Sequence, residues 1–263
     1  MTIEEMLRSG QVRTAENGLV YAVVPAAAAG GGEGGGEERG EAVGVLDRLV
    51  TAVPRSLVPR LGRSACYFVP WLLKQRRSVV VGLVPAPEGE TRKVLCHHLD
   101  VKPGANLLLI SLKFYEHDSY GLAMEFFDKV AYLAALEPDA RDEFAQLLRR
   151  QIESGKPGEI TAEAWEWRTG LAEATAAAQP EAWQNYLRAA ETDALGLYMA
   201  SLYTDIFYED LFETEPGFPP LAPDLVYERV RAAERLYPAN RGFNLQIVRQ
   251  RPRRRRPAAA ASQ

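Results

Sequence analysis

Residues 91–136 read TRKVLCHHLDVKPGANLLLISLKFYEHDSYGLAMEFFDKVAYLAAL, and the spacing of the apolar positions changes within them. Thr91 to Val101 and Asn106 to Tyr115 are short, β-rich runs joined by KPGA, whose Pro-Gly pair has turn chemistry, so both are predicted strands. From Tyr120 onward Leu122, Phe126, Phe127, Val130 and Leu133 recur at three- and four-residue spacing, which predicts a helix to Leu136. A strand-rich half followed by a helical half is the α+β class.

Upstream, Ser78 to Val84 (SVVVGLV) is a third predicted strand, reached through PAPEGE. Connections this short exclude crossovers, so the three runs are expected to form an antiparallel β-meander. Before them come the apolar cluster CYFVPWLL (Cys66 to Leu73), set among Pro54, Pro59 and Pro70, and an amphipathic helix over Val43 to Val53. Residues 26–41, AAAAGGGEGGGEERGE, hold nothing to bury and are expected to be a flexible loop. Asn17 to Val24 (NGLVYAVV) reads as a strand entered from an Asn-Gly turn.

Downstream, Pro138 opens a second helix that Gly155 closes, and Thr161 is a candidate N-cap for a third, Ala162 to Ala178. Glu181 to Glu213 then runs over thirty residues without proline, so a break is expected near Asp193 to Gly196. Asp224 to Tyr237 is the last predicted helix, Phe243 to Val248 a final strand, and RPRRRRPAAAASQ a disordered tail. The organisation expected is therefore a β-rich half over 1–117, a mainly helical half over 118–248 and a basic tail over 249–263, the β-meander packing on the helices.

With 263 residues the chain is long enough for a core without staples. Its 47% hydrophobic and 25% charged composition excludes a fibre or wholesale disorder. No apolar run approaches the ~20 residues of a bilayer span, and MTIEEMLRSGQ lacks the apolar core of a secretory signal, so an intracellular protein with no membrane span is expected. Two cysteines without a CxxC give neither a disulfide framework nor a zinc finger. The Ala, Gly and Arg bias suggests a GC-rich bacterial or viral genome.

Charge is segregated. Val43 to Arg77 carries seven basic residues against one acid, and Arg249 to Gln263 six arginines and no acid. Since the whole chain is at -4, the remainder stands at -16. Within the first segment the cations are interleaved with Tyr67, Phe68 and Trp71, a mixture suited to phosphate neutralisation and base stacking. The tail adds guanidiniums able to grip phosphate bidentately. Arg60, Arg63, Lys74, Arg76 and Arg77 are thus one candidate nucleic-acid-binding set, and Arg253, Arg254, Arg255 and Arg256 another.

Two further groups are candidates for other chemistry. Trp183, Tyr186, Tyr198, Tyr203, Phe207 and Phe212 exceed what one core stripe needs, and part of the set is expected at a partner or homo-oligomer contact. Cys96, His98 and Asp100 alternate along one strand and share a face, a weak metal-ligand candidate because the spacing is no signature. Asp205 and Glu209, four apart, would share a helical face, though a solvated acidic face is the ordinary role of such a row. No GxGxxG in a βαβ setting, GxxxxGK[ST], GxSxG or HExxH occurs, which shifts the balance from catalysis towards binding, with no cofactor expected.

The expectation is a non-enzymatic nucleic-acid-binding accessory, regulatory or packaging protein, its partner DNA, RNA or another polyanion. The alternatives are an assembly subunit oligomerising through the aromatic helix, and a metal-dependent enzyme.

Overall fold

The computed structural model describes residues 11–24, 35–75, 78–82, 92–102, 105–115, 118–134, 141–211 and 217–248. It has a mixed α+β fold, with a five-stranded sheet in the N-terminal half and helices in the C-terminal half. Strands β1 (Gln11–Thr14) and β2 (Val20–Val23) form a hairpin. Helix α1 (Gly35–Thr51) then leads to β3 (Ala65–Val69), which lies parallel to β2. Next come β4 (Trp71–Gln75), β5 (Ser78–Gly82), β6 (Arg92–Val94), β7 (Cys96–Lys102) and β8 (Ala105–Ser111). The helices that follow are α2 (Ser119–Ala134), α3 (Arg141–Glu153), α4 (Ala162–Glu173), α5 (Gln179–Tyr203) and α6 (Pro223–Leu236). Two-residue strands β9 (Ile206–Phe207) and β10 (Ile247–Val248) pair in parallel.

The strand order departs from a simple meander. The main sheet runs β1-β2-β3-β8-β7, with β3 parallel to both neighbours and the β1–β2 and β7–β8 pairs antiparallel, the latter as the meander predicts. The predicted strand Ser78 to Val84 contributes β5 to a separate three-stranded sheet, β5-β4-β6, and the predicted strand Thr91 to Val101 is divided between the two sheets at Leu95. The cause is burial on both sides of β3: Cys66 and Phe68 face the helices, while Tyr67 and Val69 face the small sheet. A strand apolar on both faces belongs in the middle of a sheet with parallel neighbours, and CYFV is such a run.

Three layers result. On one face of the main sheet Phe68 and Ile110 meet α1, α2 and α5, with the Phe68 and Phe126 rings 5.8 Å apart. On the other, Leu107 and Leu109 meet Leu72 and Val81 of the small sheet. The helix-side core takes residues from Ala15 to Tyr237, so the β-rich and helical halves share it. Helix α5 is its axis, buried on almost every side from Tyr186 to Leu202. It is continuous through Asp193 to Gly196, where a break was expected, and ends at Tyr203 well short of Glu213.

Helix α1 begins at Gly35 and so takes in 35–41, the latter part of the expected flexible loop; the remainder of that loop lies outside the described residues. A helix anchored by packing at one end extends into neighbouring residues at low cost, because only nucleation is expensive. Its other end is closed by two asparagines. Asn17 Nδ2 donates to the Val50 and Val53 carbonyls, both at 2.8 Å, and Asn17 Oδ1 accepts from Leu19 N. Asn240 Nδ2 donates to the Thr51 and Val53 carbonyls at 2.7 and 2.8 Å. Asn17 is buried, so Asn17→Ala should lower stability by about 2–3 kcal/mol, read as a shifted urea midpoint with unchanged slope. The half-exposed Asn240→Ala should cost less.

A buried polar cluster ties α3, α5 and α6 to the loop before α4. Arg229 of α6 and Glu159 are both fully buried, with Nη1 to Oε2 at 2.5 Å. Tyr186 donates to Glu159 at 2.7 Å, Arg229 Nε donates to Gln151 Oε1 at 2.8 Å, and Arg168 closes the cluster from α4 at 3.1 Å. Thr161 is the N-cap of α4, accepting from Ala164 N, as its place in the sequence predicts.

Candidate functional site

The basic residues of 43–77 divide into those the fold consumes and those it presents. Arg60 is consumed: its guanidinium donates to the Tyr237 hydroxyl and lies 3.9 Å from Glu191 of α5, with its side chain 13% exposed. Glu191 is itself buried, so this arginine serves an internal acid and leaves the expected phosphate-binding set. Arg48 covers the Tyr203 ring at 5.8 Å. Arg63 and Lys74 are exposed.

Lys74 stands near the end of β4, and there the small sheet adds what the linear order conceals. Arg92 is the register partner of Lys74, and Lys93 that of Leu73. On the other side of β4, Gln75 pairs with Ser78. Arg76 and Arg77, which separate that pair in the sequence, lie outside the described residues, as do Arg253, Arg254, Arg255 and Arg256. Basic stretches that residues 78–91 hold apart in the chain are therefore drawn together by one antiparallel sheet. Arg63 lies two residues before β3 of the main sheet and takes no part in this pairing. Arg92 and Lys93 were missed because a basic count along the chain stops at Arg77; only the pairing of TRKV with LLKQ brings them in.

The aromatic set is mostly core. Tyr186 and Tyr198 are 0% exposed, Tyr186 within the buried cluster and Tyr198 donating to the Tyr237 carbonyl at 2.8 Å, so neither offers surface to a partner. Trp183 is half-buried under Arg149, which lies 4.2 Å from its ring centre. Tyr203 packs on Phe127, and Phe207 is half-buried in β9. Phe212 lies outside the described residues. The surplus arises because α5 is surrounded on nearly all sides, so a wide aromatic distribution is what its packing requires. Since α5 stops at Tyr203, Asp205 and Glu209 share no helical face.

Cys96 and His98 do share a face of β7, but it is the face the helices cover. Cys96 packs on the core, and burial pushes its thiol up to about 12, with Glu125 adding to the effect. Such a thiol resists becoming the thiolate a metal needs. His98 Nε2 lies 3.0 Å from Asn106 Oδ1, and its ring stands edge-on to Tyr132. The Asp100 side chain lies outside the described residues. Among the described residues no three His, Cys, Asp or Glu side chains are grouped to hold a metal ion.

A cleft of about 270 Å3 opens between α2, α5 and the start of α4. Asp193 of α5 reaches into it and accepts from Thr161 Oγ1 at 2.9 Å. Burial holds the Asp193 carboxyl well above the usual carboxylate range; Glu159 and Asp128 push the same way, against the Thr161 hydrogen bond and Arg229. Thr192 lines the same cleft. In the sequence Thr-Asp inside a long apolar helix is a signal of buried polarity, yet nothing there says that a cleft meets it.

No family profile matches this chain, and no curated protein or solved structure is similar to it. Among the described residues no helix is long and apolar enough to cross a membrane. The class defined by the fold is a three-layer α+β protein.

Proposed function

We propose that the protein is a non-enzymatic nucleic-acid-binding factor that grips phosphates through the basic end of the small sheet and through its Arg-rich tail. The pairing of Lys74 with Arg92 carries this reading, because it concentrates Lys74, Arg92 and Lys93 at the end of one sheet. Phosphate contacts of this kind give sequence-independent affinity that falls steeply with salt. A body of net negative charge repels a polyanion, so it is admitted at the basic edge.

The test is fluorescence anisotropy of the full chain with labelled single-stranded RNA, single-stranded DNA and duplex DNA over a range of salt from roughly 50 to 200 mM. Lys74→Glu with Arg92→Glu should weaken all three and flatten the salt slope by about 0.7–0.9 for each phosphate no longer neutralised. Deletion of 249–263 should flatten it further. An intact protein that binds none of the probes at low salt overturns the proposal. So does binding whose slope ignores both changes.

A further inference from the structure

We propose that the outer edge of β7 is an interface at which two copies of this chain pair, β7 running antiparallel to its counterpart about a two-fold axis at Leu99, so that two main sheets join into one. This interface does not rest on the nucleic-acid reading.

Three observations carry it. The first is an open edge: β7 ends the main sheet, and among the described residues only β8 pairs with it. It has seven residues, whereas β1 at the opposite edge has four. A long edge presents a row of backbone donors and acceptors that another strand takes up. The second is the phase of that row. Ser111 N donates to the Leu95 carbonyl at 3.0 Å, one step beyond the Cys96–Ile110 pair. Bonding alternates along an antiparallel ladder, so Leu95, His97 and Leu99 turn their backbone groups to β8, while Cys96, His98 and Asp100 turn theirs outward. The third is apolar surface beside the edge. Leu95, just before β7, is 36% exposed, and Tyr132 of α2, edge-on to His98 with ring centres 6.5 Å apart, is 42% exposed. Both flank the line along which a strand would add.

The sequence of the strand decides for a second copy over a foreign strand. About Leu99, CHHLDVK is self-complementary: His98 stands opposite Asp100 of the second copy, and the axis generates that imidazole–carboxylate pair twice. His98 and Asp100 are also the residues whose backbone groups point outward, so each pair exchanges both of its main-chain hydrogen bonds. Leu99 then meets its own copy at a non-hydrogen-bonded position, where side chains approach closest, on the face that packs with Leu72, Val81 and Leu107. These pairs lie ahead of the point, between Asp100 and Lys102, where the register against β8 shifts. Moving the axis to His98 would set imidazole against imidazole and lose both carboxylate pairs. The opposite edge offers no such match, since QVRT contains no acid to set against its arginine.

Sedimentation equilibrium of the full chain, from micromolar to hundreds of micromolar, should show a reversible monomer–dimer equilibrium. His98→Asp sets acid against acid at both pairs and should raise the dissociation constant about tenfold. Adding Asp100→His to it exchanges the two residues, restores the pairing and should bring the constant back. Cross-linking reads the register independently of those variants. Leu99→Cys places two thiols on the axis with Cα atoms about 4.5 Å apart, within disulfide range, so oxidised glutathione should convert them to an intermolecular disulfide while it is reduced to two thiols. His97→Cys, on the same face, leaves its thiols roughly 13 Å apart along the strand and should not cross-link. The unsubstituted chain is the blank, because burial pushes the Cys66 and Cys96 thiols up to about 12 and so keeps them unreactive. A monomer at every concentration, a dimer that ignores His98→Asp, or equal cross-linking at positions 97 and 99 overturns the proposal.

Discussion

Replacing Arg229 by methionine is expected to cost about 3–5 kcal/mol of folding stability. Glu159 would then remain fully buried with only Arg168 and the Tyr186 hydroxyl beside it, and Gln151 Oε1 would lose the Arg229 Nε donor. Burial works against the Arg229 charge, but Glu159 and Tyr186 more than offset it and raise its pKa. Breaking one partner of a buried pair costs more than removing the pair, since the survivor's charge stays out of water. Adding Glu159→Gln to Arg229→Met should therefore recover about 1 kcal/mol or more, while keeping an acceptor for Tyr186. Urea midpoints measured at constant slope read both effects. A loss under about 1 kcal/mol for Arg229→Met would show that the cluster contributes little beyond packing.

Gly158→Ala should cost roughly 2–5 kcal/mol by a different mechanism. Gly158 has φ +107°, and a Cβ there would stand 2.5 Å from the Pro220 carbonyl carbon and 2.8 Å from Leu221 N. These are backbone atoms held in place: Glu159 N donates to the Pro219 carbonyl and Leu221 N to the Glu159 carbonyl. The clash therefore pries apart the strand-like contact that delivers Glu159 to Arg229. Gly155→Ala is the internal control. Its φ is +70°, but nothing described lies within 4 Å of the added methyl, so it should show only the backbone preference, about 1–2 kcal/mol. Equal losses at the two positions would mean that the close approach at Pro220 is not a constraint.

The effects of Arg229→Met and Gly158→Ala should also be less than additive, because both act on the placement of Glu159. Neither change touches the Lys74–Arg92 pairing, so protein that remains folded should keep its affinity for polyanions.

Local chemistry by itself determined the fold class and several helix ends. The change from β-rich runs to three-and-four spacing near Tyr120 fixed the α+β class, and Thr161 and Gly155 marked helix ends that lie where capping rules put them. Neighbouring residues decide such features, so they are written in the order of the chain. Partnership was not: CYFV became the central strand with parallel neighbours, SVVVG left for a second sheet, and TRKV brought Arg92 to Lys74. The sequence also showed that the 43–77 segment is basic, but only the packed fold turned Arg60 towards Glu191 and left Lys74 outside. Likewise the aromatic residues of α5 read as surplus until neighbours on nearly every side buried them. The physical reason is range. Caps, turns and periodicity act over a few residues, whereas sheet order, the compensation of a buried charge and the depth of a cleft depend on which distant surfaces exclude water together.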